Sequence, residues 1–207
     1  MVYLSVERNM PGTALQDIGQ AESRWGDSGS WHWLKAFVYL NASNIGMAER
    51  EARDLKKALG NYIGKSGDQN SMREFDYIMG RIALIKGYVN TAIEHLNTAF
   101  ALLPGQYGNY RDNALLLEPL ALAYTLSGDF VNARETYEKI TQLTLGRLAW
   151  GEIYARAFYN LGKIAERQGD KVKARENYGK FLSMWKDADP GLPEVEDARR
   201  RLAALAP

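Results

Sequence analysis

The chain has 207 residues, 46% of them apolar and 25% charged, enough for one large domain or two small ones and far from the composition of disordered segments. Twenty-six basic against 25 acidic side chains leave a net charge of +1, so no global field draws nucleic acid or an anionic membrane. The lack of cysteine excludes a disulfide framework, thiolate metal sites and a cysteine nucleophile. No run approaches the length of a membrane span, and Met1–Glu7 lack the basic and apolar regions of a secretory leader. The compartment stays open, with the cytoplasm slightly favoured.

Residues 1–30 read as an N-terminal helical segment that is part of a repeat. Ala14, Leu15, Ile18, Ala21 and Trp25 recur at helical spacing, and residues 2–9 suggest one more helix. The chain then falls into four similar units, at about 31–60, 73–104, 114–147 and 150–187. Met79-Gly80-Arg81-Ile82-Ala83 leads to Gly87 and then to Ala92, Leu96 and Ala99. Leu120-Ala121-Leu122-Ala123-Tyr124 leads in the same register to Gly128, Ala133, Tyr137 and Ile140, and Leu161-Gly162-Lys163-Ile164-Ala165 leads to Gly169, Ala174, Tyr178 and Phe181. Gly87, Gly128 and Gly169 stand 41 residues apart, and one further step back falls on Gly46.

Each unit reads as two helices. In the last, Tyr154, Ala157, Phe158, Leu161 and Ala165 form one apolar stripe. Gly169 supplies the left-handed stop, and Asp170 the cap of the next helix. Gly128-Asp129 repeats that grammar. Gly87-Tyr88 lacks the acid, so the helix after it is expected to begin later, near Asn90. Gly80, Ala121 and Gly162, facing Ala92, Ala133 and Ala174, let two backbones approach closely. Pro119 inside a first helix predicts a kink or a late start. Residues 192–207 read as a capping helix, with Val195, Ala198, Leu202 and Leu205 on one stripe and Glu194, Glu196 and Asp197 in its first turn.

Phe158, Leu161-Gly162, Ala165, Gly169-Asp170, Ala174, Tyr178 and Phe181 together resemble the tetratricopeptide (TPR) repeat, and Pro104 falls at that repeat's terminal proline. The resemblance covers roughly residues 31–187 and implies an all-α, right-handed superhelix of helix-turn-helix repeats with a C-terminal capping helix. The family unit is 34 residues, so about seven extra residues are expected between units, in loops such as 103–112 or lengthened helices such as 148–154. The tail Leu182–Glu194 resembles the end of TPR regions in large bacterial signalling proteins, where a serine/threonine kinase, cyclase or transcription-factor module often precedes the repeats.

Chemical motifs are weak. Gly60-Asn61-Tyr62-Ile63-Gly64-Lys65-Ser66 has three residues where a phosphate-binding loop needs four between its glycines, and reads as a flexible connection running on through Gly67-Asp68-Gln69-Asn70. Asp187, Asp189 and Gly191 do not match a calcium loop and read as a linker. His32 and His95 each lack a second histidine at helical spacing, so no metal and no cofactor is expected. Arg199-Arg200-Arg201 reads as a solvated helix face.

The TPR resemblance implies a concave face lined by first helices, which places Trp33, Tyr77, Arg81, Glu118, Arg156, Tyr159 and Lys163 there, with Asn160 as a neighbour. The paired Lys and Asn residues of a carboxylate clamp are absent from the earlier helices. The function implied is a non-catalytic protein- or peptide-binding scaffold, the accessory region of a bacterial regulator, with no nucleic acid and no membrane insertion. Self-association through terminal or convex surfaces, and a small-ligand sensory domain attached to an output module, are the alternatives.

Overall fold

In a computed structural model, residues 10–26, 29–103, 113–143, 148–187 and 191–205 are described. The expected helix over residues 2–9, Pro104, the remainder of the 103–112 loop and Asp189 lie outside them. The described residues hold ten α-helices and no strand: α1 (Pro11–Trp25), α2 (Gly29–Asn41), α3 (Ile45–Ser66), α4 (Arg73–Ile85), α5 (Val89–Ala101), α6 (Asn113–Ser127), α7 (Phe130–Gln142), α8 (Gly151–Arg167), α9 (Lys171–Met184) and α10 (Pro193–Ala204). They form two compact units, residues 1–105 and 106–207. In the first, α1 packs on α2, α2 pairs with α3, α4 follows on α3, and α5 pairs with α4. In the second, α6 pairs with α7, α8 packs on α7 and pairs with α9, and α10 covers α9.

The four hairpin corners share one geometry. Gly87, Gly128 and Gly169 have φ of 78°, 83° and 76°, the left-handed conformation that costs other residues about 1–2 kcal/mol. The next residue's N–H reaches back five positions in every case: Tyr88 to the Ala83 carbonyl at 2.8 Å, Asp129 to Tyr124 and Asp170 to Ala165 at 2.9 Å. Asp129 Oδ1 then accepts from the Asn132 N–H at 3.1 Å and Asp170 Oδ1 from the Lys173 N–H at 3.0 Å, capping α7 and α9.

The first corner corrects the sequence reading. It is Ser43 that takes the left-handed conformation, at φ 56°, and Asn44 N–H that bonds the Tyr39 carbonyl at 2.8 Å. Gly46 lies three residues on, inside the first turn of α3. The Asn44 side chain accepts from the Met47 N–H at 3.2 Å, a cap that offsets the strain at serine. Counted from Ser43, Ala48, Ala52 and Leu55 fall in step with Ala92, Leu96 and Ala99, with Ala133, Tyr137 and Ile140, and with Ala174, Tyr178 and Phe181. None of these twelve side chains is more than 2% exposed.

The small residues opposite them set the helix spacing. A methyl group at Gly80 would stand 2.5 Å from Leu96 Cγ, and one at Gly162 would stand 2.6 Å from the Tyr178 ring. Ala36 and Ala121 fill the same place in the other hairpins and are fully buried.

Three further expectations are corrected. α5 begins at Val89, not later, without any side-chain cap. Burial of Ala92, Leu96 and Ala99 fixes its start where local capping does not. α6 extends from Asn113 through the buried Pro119, so of the two outcomes expected for that proline the late start is absent. Residues 60–66 are not a loop: they are the last two turns of the 22-residue α3, which ends at a left-handed Gly67. Two glycines inside a helix cost about 2 kcal/mol together, and packing of the preceding turns through Leu55 and Leu59 carries the helix past them. The extra length relative to a short repeat also appears in α8, 17 residues against 13 in α4.

In the first turn of α4, burial raises the pKa of Glu74, with Arg73 opposing it. The folded chain therefore holds that proton more tightly than the unfolded chain. Glu74 favours folding fully below its ordinary value of 4.5, and that advantage is lost as pH rises through the raised folded value. Glu74→Gln is accordingly expected to raise the thermal midpoint at about pH 7 and to leave it unchanged at about pH 3.5. An equal effect at both pH values would assign the change to packing.

Candidate functional site

The first helices α2, α4, α6 and α8 carry a recurring pair of positions, ten and six residues before each corner. Trp33 and Phe37, Tyr77 and Arg81, Glu118 and Leu122, and Tyr159 and Lys163 occupy them in turn. Residues four apart on a helix lie one above the other, so each pair is a two-step ladder on its helix. In both units, consecutive first helices touch.

In the first unit the ladder is aromatic. Trp33 stacks on Phe37, with ring centroids 5.6 Å apart, and meets Tyr77 across the helix pair at 6.4 Å. Arg81 covers the Tyr77 ring at 5.8 Å and donates to its hydroxyl at 2.8 Å. Tyr77 is only 4% exposed. Its ring is part of the packing, and Arg81 is the group that reaches solvent above it.

In the second unit the ladder is mixed, and an ion pair beside it links the helices. Arg156 Nε donates to Glu118 Oε1 at 2.9 Å, joining α8 to α6, and its Nη2 lies 3.4 Å from Glu152 Oε1. Burial works against the guanidinium charge, but the two carboxylates outweigh it and hold the proton more tightly than usual. Tyr159 is 8% exposed and packs against Tyr178 and Phe181. Its hydroxyl donates to Asp197 Oδ2 on α10 at 2.8 Å. Burial first, and that carboxylate second, push its pKa up to about 12. Lys163 Nζ stands 5.1 Å from the centre of the ring, a cation–π contact, and Asn160 is half-buried beside it.

The structure thus brings Trp33, Tyr77 and Arg81 together in one unit, and Glu118, Arg156, Tyr159 and Lys163 in the other. Tyr77 and Tyr159, expected as anchors for a partner, are internal, because each hydroxyl finds a partner within the protein and each ring fills the space between helices. The side chain missed in sequence is Leu122, 43% exposed at the repeat position that holds Arg81 in the α4–α5 hairpin and Lys163 in the α8–α9 hairpin. Leu126, one turn further along α6, is exposed as well. The signal was present, an apolar residue six before a corner glycine, but a leucine in an apolar helix reads as core.

A second feature lies on the α2–α3 hairpin. The overhanging end of α3 and the start of α2 enclose a cleft of 680 Å³ lined by Gly29, His32, Asp54, Lys57, Ala58, Asn61, Tyr62 and Lys65. His32 Nδ1 lies 2.8 Å from the buried Glu51. The same two hairpin positions in α4–α5 hold Asp76 and His95, also 2.8 Å apart, with the residue types exchanged.

Stacked helical hairpins with a patterned first-helix face define a helical-repeat protein. The comparisons agree and are more specific. A tetratricopeptide repeat model matches residues 155–184, most of α8 and the whole of α9. The structure is similar to a thermophilic TPR protein of Thermus thermophilus (TM-score 0.61, 18% identity, covering 99% of this chain and 94% of that one). It is similar to BtubC of P. vanneervenii (TM-score 0.66, 14% identity, 97% and 83% covered). It is also similar to YrrB, a TPR protein with an unusual peptide-binding site (TM-score 0.57, 16% identity, 96% and 88% covered). No curated protein sequence matches. The chain carries a tetratricopeptide repeat at its C-terminal hairpin and has the TPR fold. No described helix is long and apolar enough to cross a membrane.

Proposed function

We propose that this chain is a non-catalytic scaffold that holds a protein or peptide partner on its first-helix face, as the accessory region of a bacterial regulatory protein. The observation that carries the reading is Leu122. A large apolar side chain is left in water on α6, one turn from Glu118, while the neighbouring α8 presents Lys163 at the matching position. An exposed apolar side chain bordered by a cation suits a partner segment with an apolar anchor and an adjacent acid. Arg81 offers the same cation on the first unit. YrrB, with the same fold, has a peptide-binding site, and that use of the fold supports the reading. The resemblance of the tail Leu182–Glu194 to bacterial signalling proteins supports the regulatory part.

The test is a peptide selected from a displayed random library on the full chain, its affinity then measured by fluorescence anisotropy. Leu122→Asp with Lys163→Glu is expected to weaken binding by at least about tenfold while helicity is retained, since both side chains are part-exposed and outside the core. Unchanged affinity would move the site off this face. A kinase or cyclase module in the reading frame upstream would support the regulatory role.

A further inference from the structure

Three groups that coordinate metal ions converge on the α2–α3 hairpin. One donor atom each from His32, Glu51 and Asp54 lies within 4.8 Å of the other two. None is near another in sequence except Glu51 and Asp54, which share a face of α3 at a spacing of three.

Hairpin packing does not require this trio. The α4–α5 hairpin joins its helices at the same two positions with Asp76 and His95 alone. The other two hairpins use Leu117 with Thr136 and Phe158 with Asn177 there. The position of Asp54 holds Thr98, Lys139 and Lys180 in the others. The first hairpin alone adds a third ligand. It also keeps the carboxylate of Glu51 in a residue only 8% exposed, where a divalent ion would balance the charge of both acids.

The geometry suits a small ion. Histidine nitrogen and carboxylate oxygen bind zinc at about 2.0–2.2 Å, which places tetrahedral ligand atoms about 3.3 Å apart. The 2.8 Å His32–Glu51 contact is a hydrogen bond that opens by about 0.5 Å and releases its proton to solvent when both atoms turn to the metal, and Asp54 needs a shift of at most about 1.5 Å, within the range of a rotamer change. His32 and Asp54 both line the 680 Å³ cleft, so the fourth position opens into it. Lys57 and Lys65 on the cleft wall temper the attraction for a cation and favour an anion as the exchangeable ligand.

We propose that His32, Glu51 and Asp54 form a three-ligand site for a divalent transition metal, zinc by preference, with its open coordination position facing the cleft. The nitrogen and oxygen donors without thiolate suit zinc and its neighbours better than soft monovalent copper.

The test is calorimetric titration of zinc chloride into the full chain after chelator treatment, with thermal unfolding in parallel. One zinc per chain, micromolar affinity and a rise in the thermal midpoint are expected. Asp54→Asn and, independently, His32→Gln should each weaken binding by about tenfold or more. Asp76→Asn, which removes the other His–carboxylate contact, should leave it unchanged. No binding by the unaltered chain, or equal binding by Asp54→Asn and His32→Gln, would overturn the proposal, as would loss confined to Asp76→Asn.

Discussion

Replacing Tyr178 with alanine is expected to lower the stability of the second unit by about 4 kcal/mol, the range for deleting a fully buried aromatic ring. The ring is wholly inaccessible, lies in van der Waals contact with Gly162, and stands 6.2 Å from the ring of Tyr159. Because Gly162 has no side chain, the position directly facing the ring offers nothing to fill the space. Tyr178→Phe separates the ring from its hydroxyl, which donates to Glu166 Oε2 at 2.8 Å. That variant is expected to cost about 1–2 kcal/mol, mostly the loss of a hydrogen bond to a charged acceptor. Urea unfolding of the full chain followed by circular dichroism measures both. Equal costs for the two variants would show that the hydroxyl, not the ring, holds the hairpin together.

The second large effect concerns α10. It buries Val195 and Ala198 against the cluster formed by Ala155, Phe158, Tyr159, Ala174, Tyr178 and Phe181, with Leu202 and Leu205 partly covered. A chain ending at Gly191 loses roughly 5 kcal/mol of apolar burial and opens the Tyr178–Phe181 face to water. It is expected to unfold at lower urea and to scatter light as it associates. A polar lattice ties the same helix down. Arg201 donates through Nε to Asp197 Oδ2 at 2.5 Å and through Nη1 to Glu166 Oε2 at 2.9 Å, and each carboxylate also receives a tyrosine hydroxyl. Burial opposes the charge of Asp197 and Glu166, but the Arg201 and tyrosine donors outweigh it, and both pKa values fall below the ordinary 3.8 and 4.5. Their contribution is therefore complete above those values and is lost as pH falls through the lowered folded ones. Arg201→Met is expected to remove most of this acid sensitivity. An unchanged acid transition would assign it to other carboxylates.

These two predictions rest on contacts with different histories in the sequence. The stripe through Ala174, Tyr178 and Phe181 was legible, because a helical period and a glycine stop are written within a dozen residues. The docking of α10 was legible as a cap, since Val195, Ala198 and Leu202 recur on one face. Its polar lattice was not, because Tyr159 and Asp197 are 38 residues apart and nothing local links them. The same limit explains Tyr77 and Tyr159. Their positions on the first helices were read correctly, yet whether a ring faces a partner or the next helix depends on what packs beside it.

The amino-acid sequence by itself determined the hairpins. Left-handed glycines, aspartate caps and small residues at fixed offsets act over a few bonds, so their meaning survives without knowledge of the rest of the chain. The tertiary structure alone decided the corner at Ser43, the helical course of residues 60–66, the exposure of Leu122 and the meeting of His32 with Glu51 and Asp54. Each depends on which helix lies alongside, and burial and charge pairing between distant segments are set only when the helices have been brought together.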